Sequence, residues 1–154
     1  MLKFVESIVQ FNNLVVLDAN FILAPVQFKV DYLEQINFKL HGTTGFLIFK
    51  QIFDELKAKA NRFERQKKSA QFESQLKAGK SYLKHNKSKY HIQYSNTVKN
   101  GTETTDEFLL RKVITLKKKY DHVYLATNDK NLRRKARIHV SVILIRQGKK
   151  IAII

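Results

Sequence analysis

Four acidic residues stand out in a strongly basic sequence: Asp18, Glu55, Asp106 and Asp129. Asp18 ends the apolar run LVVL and precedes another apolar run, FILAPV, so the backbone around it is expected to be buried. An ionised carboxylate in such a place needs a partner. Clustered carboxylates repel one another unless a cation compensates, and their hard oxygens suit Mg²⁺ or Mn²⁺. Such a metal activates water and neutralises the charge that develops in phosphodiester hydrolysis.

Three of these acids also have a structural interpretation. An Asp can cap the helix that follows it by accepting hydrogen bonds from the first backbone amides. Asp18, Asp106 and Asp129 all stand at or before the start of a possible helix. Each acid is therefore weakly informative alone, and the functional interpretation depends on their occurring together.

The overall charge favours a polyanionic partner. The 154 residues include 29 Lys and Arg against 13 Asp and Glu, a formal net charge of +16. Neutralised phosphates release condensed counterions, so a surface of this kind attracts nucleic acid. A generally Lys-rich proteome is the alternative explanation. Cys is absent, which excludes disulfides and thiolate sites and leaves oxygen or imidazole to bind a metal.

An α/β fold is predicted to position the acids. Buried strands are predicted for short apolar runs at 14–17, 46–49, 122–127 and 139–145. Helices are predicted for Lys-, Glu- and Leu-rich segments at about 27–40, 50–61, 66–84, 104–119 and 129–137. Strands that alternate with helices favour a parallel sheet covered on both faces. Ligands bind beyond the carboxyl ends of such strands, where Asp18 and Asp129 are found.

Two of the four assignments involve a choice between adjacent acids. Asp54 and Glu55 diverge by about 100° on a helix, and Glu55 shares the apolar side with Leu56, so Asp54 is expected to face solvent. Asp106 is preferred to Glu107, which stays an alternative. The reason is that the buried side of that helix is set by Phe108, Leu109, Val113 and Leu116.

A single domain is expected over residues 1–154, because five Gly and one Pro leave little room for linkers. The N-terminal segment MLKFVESIVQFNN is too short and too charged to predict a signal peptide. No apolar run approaches the ~20 residues that cross a bilayer. These features predict a cytoplasmic protein without membrane contact.

The densest basic segment is a predicted helical arm at about 57–89, which has eleven Lys or Arg against Glu64 and Glu73. Its expected function is to hold phosphates beside the metal site, since phosphate contacts position a nucleic acid. A solvated helical face is the alternative. A second basic cluster follows Asp129. The residues predicted to contact RNA are Lys57, Lys59, Arg62, Arg65, Lys67, Lys68, Arg133 and Arg134.

Longer blocks of sequence carry a resemblance to a known family. The segments LVVLDANFILAPVQFKVDYLEQI, YLATNDKNLRRKA and VSVILIRQGKK resemble PIN-domain proteins, in particular the archaeal and eukaryotic branch related to the small-subunit processome endonuclease. The resemblance implies a three-layer α/β/α domain with a central parallel sheet of four or five strands. It also implies supporting polar residues, Asn20 and Thr127, beside four catalytic and metal-ligating acids, Asp18, Glu55, Asp106 and Asp129.

The function implied by this resemblance is a metal-dependent endoribonuclease that uses Mg²⁺ or Mn²⁺, with ribosomal RNA processing as its role. The same acids would serve a VapC-type toxin RNase that a small antitoxin protein neutralises. A non-catalytic RNA-binding ribosome-assembly factor is a third candidate, against which the presence of all four acids argues. The resemblance also makes a homodimer an expected assembly. One departure from the family is Ala19, which stands where Thr or Ser is usual.

Overall fold

The computed structural model describes residues 11–63, 68–147 and 149–154. In these residues one sheet of six strands forms the centre of the fold, with the order β3-β2-β1-β4-β5-β6. The strands are β1 (Asn13–Leu17), β2 (Thr44–Phe49), β3 (Ile92–Ser95), β4 (His122–Ala126), β5 (Ser141–Arg146) and β6 (Lys150–Ile153). Strands β1 to β5 pair in parallel, whereas β6 runs antiparallel to β5.

Helices connect the parallel strands. In the described ranges they are α1 (Ala19–Gln27), α2 (Tyr32–Lys39), α3 (Lys50–Arg62), α4 (Ser69–Tyr90), α5 (Thr105–Lys117) and α6 (Lys130–Ala136). Helices α1, α3 and α4 pack against one another, and α5 packs against α6. The predicted α/β class with a central, mostly parallel sheet is confirmed. Among the helices of the described segments, none combines the length and apolar character needed to cross a membrane.

The central strand β1 explains why two distant acids leave the sheet together. Its residues Leu14 to Leu17 are fully buried, as expected for an apolar strand with neighbours on both sides. Leu17 is in register with Ala126 of β4, and the Asp18 amide donates to the Ala126 carbonyl at 3.0 Å. Asp18 and the residues after Ala126 therefore emerge side by side at the carboxyl edge.

Helix α1 was not predicted. It occupies the FILAPV run, and Phe21 to Ala24 are all buried, so the segment lacks the polar face that marks most surface helices. Pro25 lies inside the helix, which is a further signal against helix from sequence. The helix predicted at about 27–40 begins only at Tyr32, after Asp31 accepts from the Glu34 amide at 3.4 Å.

The edge strands β3 and β6 were not predicted either. Each has only four residues. The sheet thus has the five parallel strands at the upper end of the expected range, with an additional antiparallel strand. Gln35 of α2 stabilises β6, since its side-chain oxygen accepts from the Ile151 amide at 3.1 Å and its side-chain nitrogen donates to the Lys149 carbonyl.

The segment predicted as a basic arm contains the end of α3 and the whole of α4. Helix α4 packs closely on α1, because a Cβ placed at Gly79 would lie 1.9 Å from the carbonyl oxygen of Ile22. The middle of α4 is therefore a packed element of the fold. Arg65 and Lys67 lie outside the described residues.

Candidate active site

Asp18 is fixed by hydrogen bonds at the end of β1. Its side chain is buried, with an exposed fraction of 5% for the residue. The Ala19 amide donates to Oδ1 at 2.7 Å, which makes Asp18 the N-cap of α1. Thr127 Oγ1 donates to Oδ2 at 2.6 Å, and Asn20 Nδ2 donates to the same atom at 3.0 Å. Asp18 therefore does cap the helix that follows it, as the structural interpretation expected. It also forms hydrogen bonds with two side chains, which capping does not require.

The loop after β4 is held to the Asp18 loop by the same polar residues. Thr127 is fully buried, and its Oγ1 accepts from the Asp129 amide at 3.1 Å. Asn20 Oδ1 accepts from the Asn128 amide at 3.1 Å. Asn20 and Thr127, predicted as supporting polar residues, therefore position both loops at once.

Asn128 is a positioning residue that the sequence analysis missed. Its Oδ1 accepts from the Ile145 amide at 2.8 Å, which links the loop to β5. The partner is a backbone group 17 positions away, so the local sequence does not predict this hydrogen bond. This contact fixes the backbone from which Asp129 projects.

Asp129 caps helix α6 through Oδ1, which accepts from the Leu132 amide at 2.9 Å. Asp106 has no such role, because α5 is capped by a reciprocal pair of other residues. Thr104 Oγ1 accepts from the Glu107 amide at 3.1 Å, and Glu107 Oε1 accepts from the Thr104 amide at 3.2 Å. The capping box engages Glu107 and leaves Asp106 free to face the site.

The adjacent acids of α3 separate as the helical geometry predicts. Asp54 forms an exposed ion pair with Lys50, one turn earlier, at 3.1 Å. Glu55 is half-buried and faces a cavity. Of this pair, Glu55 is the acid that the fold directs toward Asp18.

All four predicted acids line one cavity of about 300 Å³ at the carboxyl edge of the sheet. They come from four different segments: the ends of β1 and β4, the second turn of α3 and the first turn of α5. The remaining walls are formed by Ala19, Asn20, Leu23, Gln27, Leu56 and Lys59. The assignment of these acids as catalytic or metal-ligating stays a prediction, but the fold brings them together.

The carboxylates of this cavity interact electrostatically. Burial raises the pKa of Asp18 from 3.8 to about 6 against the lowering effect of its hydrogen bonds, and the Asp106 and Asp129 carboxylates add to the increase. Burial raises the pKa of Glu55, with further contributions from Asp18 and Asp106. The pKa of Asp106 is raised by burial and by Asp129, while Lys135 opposes the shift. The carboxylates of Asp18, Asp106 and Asp129 therefore add to the increase in the pKa of acids beside them.

The donor set fits a hard divalent cation in its chemistry. Carboxylate oxygens are the ligands that Mg²⁺ and Mn²⁺ prefer, and a bound cation would offset both the burial of these carboxylates and their mutual repulsion. Among the described residues, no group of three acidic or histidine side chains lies close enough together to bind a metal ion in the conformation seen here. Of the four acids, Asp106 and Asp129 are exposed and Glu55 is half-buried, whereas Asp18 is buried.

Helix α5 is held in place by a buried amide that the sequence analysis also missed. Gln51 of α3 is 6% exposed. Its Oε1 accepts from the Lys99 amide at 3.0 Å, and its Nε2 donates to Thr105 Oγ1 at 3.4 Å. These contacts join α3 to the loop before α5 and so set the position of Asp106.

The residues predicted to contact RNA are distributed over two surfaces. On α3, Lys59 lines the cavity, and its ammonium lies 5.5 Å from the ring centre of Phe72. Other predicted contacts, Lys57, Arg62 and Lys68, are exposed outside the cavity. The second surface is on α6 and contains Arg133 and Arg134.

Comparisons with known proteins agree with this architecture. Residues 15–148 match the family model described as a PIN-like domain. The chain therefore belongs to the PIN-like domain family. No curated protein matches the chain.

Among solved structures, the PIN domain endonuclease Utp24 is similar over 91% of this chain and 90% of its own, with 22% identity and a TM-score of 0.64. A domain of a functionally unknown protein from Methanocaldococcus jannaschii gives coverages of 89% and 94%, 13% identity and a TM-score of 0.59. The T5 D15 protein, crystallised with metal ions, is similar over 90% of this chain and 56% of its own, with 18% identity and a TM-score of 0.52. At these identities the likeness shows the fold.

Proposed function

We propose that this protein is a metal-dependent endoribonuclease that hydrolyses phosphodiester bonds of RNA, with ribosomal RNA processing as its role. The observation that carries the proposal is the convergence of Asp18, Glu55, Asp106 and Asp129 on one cavity of a chain whose net charge is +16. Lys and Arg outnumber Asp and Glu in this chain, yet four acids line the same cavity. The solvation of acids on a protein surface does not explain this clustering. The sequence resemblance to the processome branch supports RNA as the substrate.

The four carboxylates would hold Mg²⁺ or Mn²⁺. When bound, such an ion supplies Lewis-acid stabilisation of the charge that develops at the scissile phosphate and makes water a better nucleophile. Asp18 is the ligand with the most restricted orientation, because three donors fix its two oxygens. Asp129 is oriented by its contact with the first turn of α6. Asp106 and Glu55 complete the set from α5 and α3.

The protein's own cations would position the RNA. Lys59 forms part of the cavity wall, and Lys135 is close enough to lower the pKa of Asp106. Both place positive charge beside the acids, which favours entry of a phosphate into a site that is otherwise negative. In the reaction, water adds to phosphorus and the bond from phosphorus to the next ribose oxygen breaks.

The direct test is cleavage of labelled RNA containing single-stranded and structured regions, with Mn²⁺ or Mg²⁺. We expect Asp18→Asn and Asp129→Asn to lower the cleavage rate by at least about 100-fold, since even the loss of a residue that only orients a metal ligand commonly costs 10–100-fold. RNA binding should be retained. Asp54→Asn is the matched control, because its carboxylate pairs with Lys50 outside the cavity, and it should cleave like the wild type.

Two outcomes would contradict the proposal in different ways. Equal cleavage by the wild type and Asp18→Asn would show that this cavity is not the catalytic site. If the protein cleaves DNA of the same sequence and leaves RNA intact, the metal site is supported but RNA is the wrong substrate class.

A further inference from the structure

A groove of about 470 Å³ runs along α6 and begins one residue beyond Asp129. It is lined by Lys130, Arg133, Arg134, Arg137 and Ile138. None of its four cations has an ion-pair partner among the described residues. Within the described part of the chain, the side chains of these four cations form one hydrogen bond, which Arg134 Nη2 donates to Asn131 Oδ1 at 3.4 Å. The groove is thus a concentration of positive charge whose cations form no ion pair among the described residues.

A second cavity, of about 380 Å³, continues the groove to the opposite edge of the sheet. Arg137 and Ile138 line both spaces. The second cavity also contains His122 and Ser141, which stand at the amino ends of β4 and β5. Its other polar side chains are Tyr124, Lys117, His139 and a single acid, Asp121.

We propose that the two cavities form one binding track for the RNA backbone, the α6 track, which leads from the catalytic cavity to the opposite edge of the sheet. The inference rests on the proposed function, which it extends by placing the rest of the substrate. Strand β5, beside the track, has six residues, so the path is roughly 20 Å long at ~3.3 Å per residue. That distance corresponds to about six phosphates at ~3.4 Å along one strand of a duplex.

The exposed side chain of Ile138 supports a nucleic-acid ligand. It is 80% exposed and lines both cavities, so it presents apolar surface among the cations. A ribose or base offers apolar surface, whereas a simple inorganic anion does not. Each arginine guanidinium group beside it could bind two oxygens of one phosphate.

The cations of α6 and those of the predicted basic arm differ in whether they already contact aromatic rings of the protein. In the arm, the Lys80 ammonium lies 5.6 Å from the ring centre of Phe53, and Lys87 lies 5.6 Å from that of Tyr94. These contacts hold part of the positive charge of α4 against the protein's own aromatic rings. Within the described residues, no cation of the α6 track is recorded over an aromatic ring.

The test compares two double variants that remove the same charge from different surfaces. Arg134→Gln with Arg137→Gln removes two cations from the α6 track, and Lys77→Gln with Lys84→Gln removes two exposed cations from α4. Binding of a fluorescent single-stranded RNA is measured by anisotropy over a series of KCl concentrations. Both pairs are made in the Asp18→Asn protein, so that cleavage does not interfere.

We expect the α6 pair to weaken RNA binding at least tenfold and to reduce the magnitude of the salt slope by about 1.4, at ~0.7 per lost phosphate contact. The α4 pair should stay within about threefold of the parent protein. An α4 pair that weakens binding as much as the α6 pair, or an α6 pair that binds like the parent, would overturn the track.

Cleavage assays with a wild-type active site separate this proposal from the proposed function. If the wild type cleaves RNA and the α6 pair binds normally, the track is wrong and the function stands. If RNA binding depends on the α6 pair and no metal supports cleavage, the track stands and the function is wrong. Absence of RNA binding by the parent protein would overturn both.

Discussion

The hydroxyl of Thr127 donates to Asp18 Oδ2 at 2.6 Å across 109 positions of sequence. Thr127 Oγ1 also accepts a hydrogen bond from the Asp129 amide at 3.1 Å. One buried hydroxyl therefore sets the relative positions of the two acids that end the central strands. This relationship makes Thr127 the most informative residue to change without touching a carboxylate.

Thr127→Val is expected to lower metal-dependent cleavage of RNA by about 10–100-fold, the range typical of residues that orient metal ligands. Val keeps the shape of Thr but cannot donate to Asp18 or accept from Asp129. Thr127→Ser keeps the hydroxyl and should retain activity within a few-fold. Cleavage rates measured over a range of Mn²⁺ concentrations check this, and equal rates for the Val and Ser variants would contradict the positioning role.

Asp18→Asn is expected to change thermal stability in a pH-dependent way when metal is removed with EDTA. The pKa of Asp18 in the folded protein is about 6, above its ordinary value of 3.8. Because the folded state holds the proton more tightly than the unfolded chain, ionisation of Asp18 costs stability as the pH rises through this interval. The Tm of the variant minus that of the wild type should therefore become more positive between about pH 4 and pH 7.5.

Differential scanning fluorimetry measures this difference directly. Added Mn²⁺ should raise the Tm of the wild type at pH 7.5 and have a smaller effect on Asp18→Asn, because bound cation stabilises the folded state by mass action. A difference in Tm that is constant across the pH range would show that Asp18 is not ionised in a buried position.

The third acid can be identified by comparing Asp106 with its neighbour. Asp106→Asn should reduce cleavage at least tenfold with little effect on stability, because Asp106 lines the cavity and does not cap α5. Glu107→Ala should destabilise the protein by about 1 kcal/mol through loss of the capping box and retain cleavage. Rates and melting temperatures of the two variants would show the reverse pattern if Glu107 were the ligand.

Gly79→Ala is expected to destabilise the protein by about 3 kcal/mol, the upper part of the range for overpacking. The added methyl group would collide with the Ile22 carbonyl oxygen, 1.9 Å away, and neither backbone can move without separating α4 from α1. Gly101→Ala is the matched control, since no atom lies within 4 Å of its Cβ position. Urea denaturation of both variants measures the effect, and equal stabilities would contradict the close packing of α4 on α1.

The sequence predicted the position of the acids better than the boundaries of the elements. Apolar strands that end in Asp18 and Asn128-Asp129 are sufficient to place both carboxylates at one edge, because parallel strands share the direction of their carboxyl ends. The choice of Glu55 over Asp54 followed from helical geometry and from the apolar side that Glu55 shares with Leu56. The structure adds the Lys50 ion pair that engages Asp54.

Long-range contacts account for what the sequence did not predict. Helix α1 packs on α4 and buries Phe21 to Ala24, so its apolar pattern lacks the polar face of most surface helices. Gln51 and Asn128 act on backbone groups of distant segments, and only the assembled fold shows those partners. Strand β6 depends in the same way on Gln35 of α2.

We propose that the cluster of four carboxylates binds the catalytic cation. Electron paramagnetic resonance of Mn²⁺, titrated into the metal-free protein, measures that binding without any substrate. We expect the wild type to remove Mn²⁺ from the free pool, Glu55→Gln to weaken binding at least tenfold, and Asp54→Asn to bind like the wild type. Equal Mn²⁺ binding by the wild type and Glu55→Gln, or loss of binding in Asp54→Asn alone, would contradict the account.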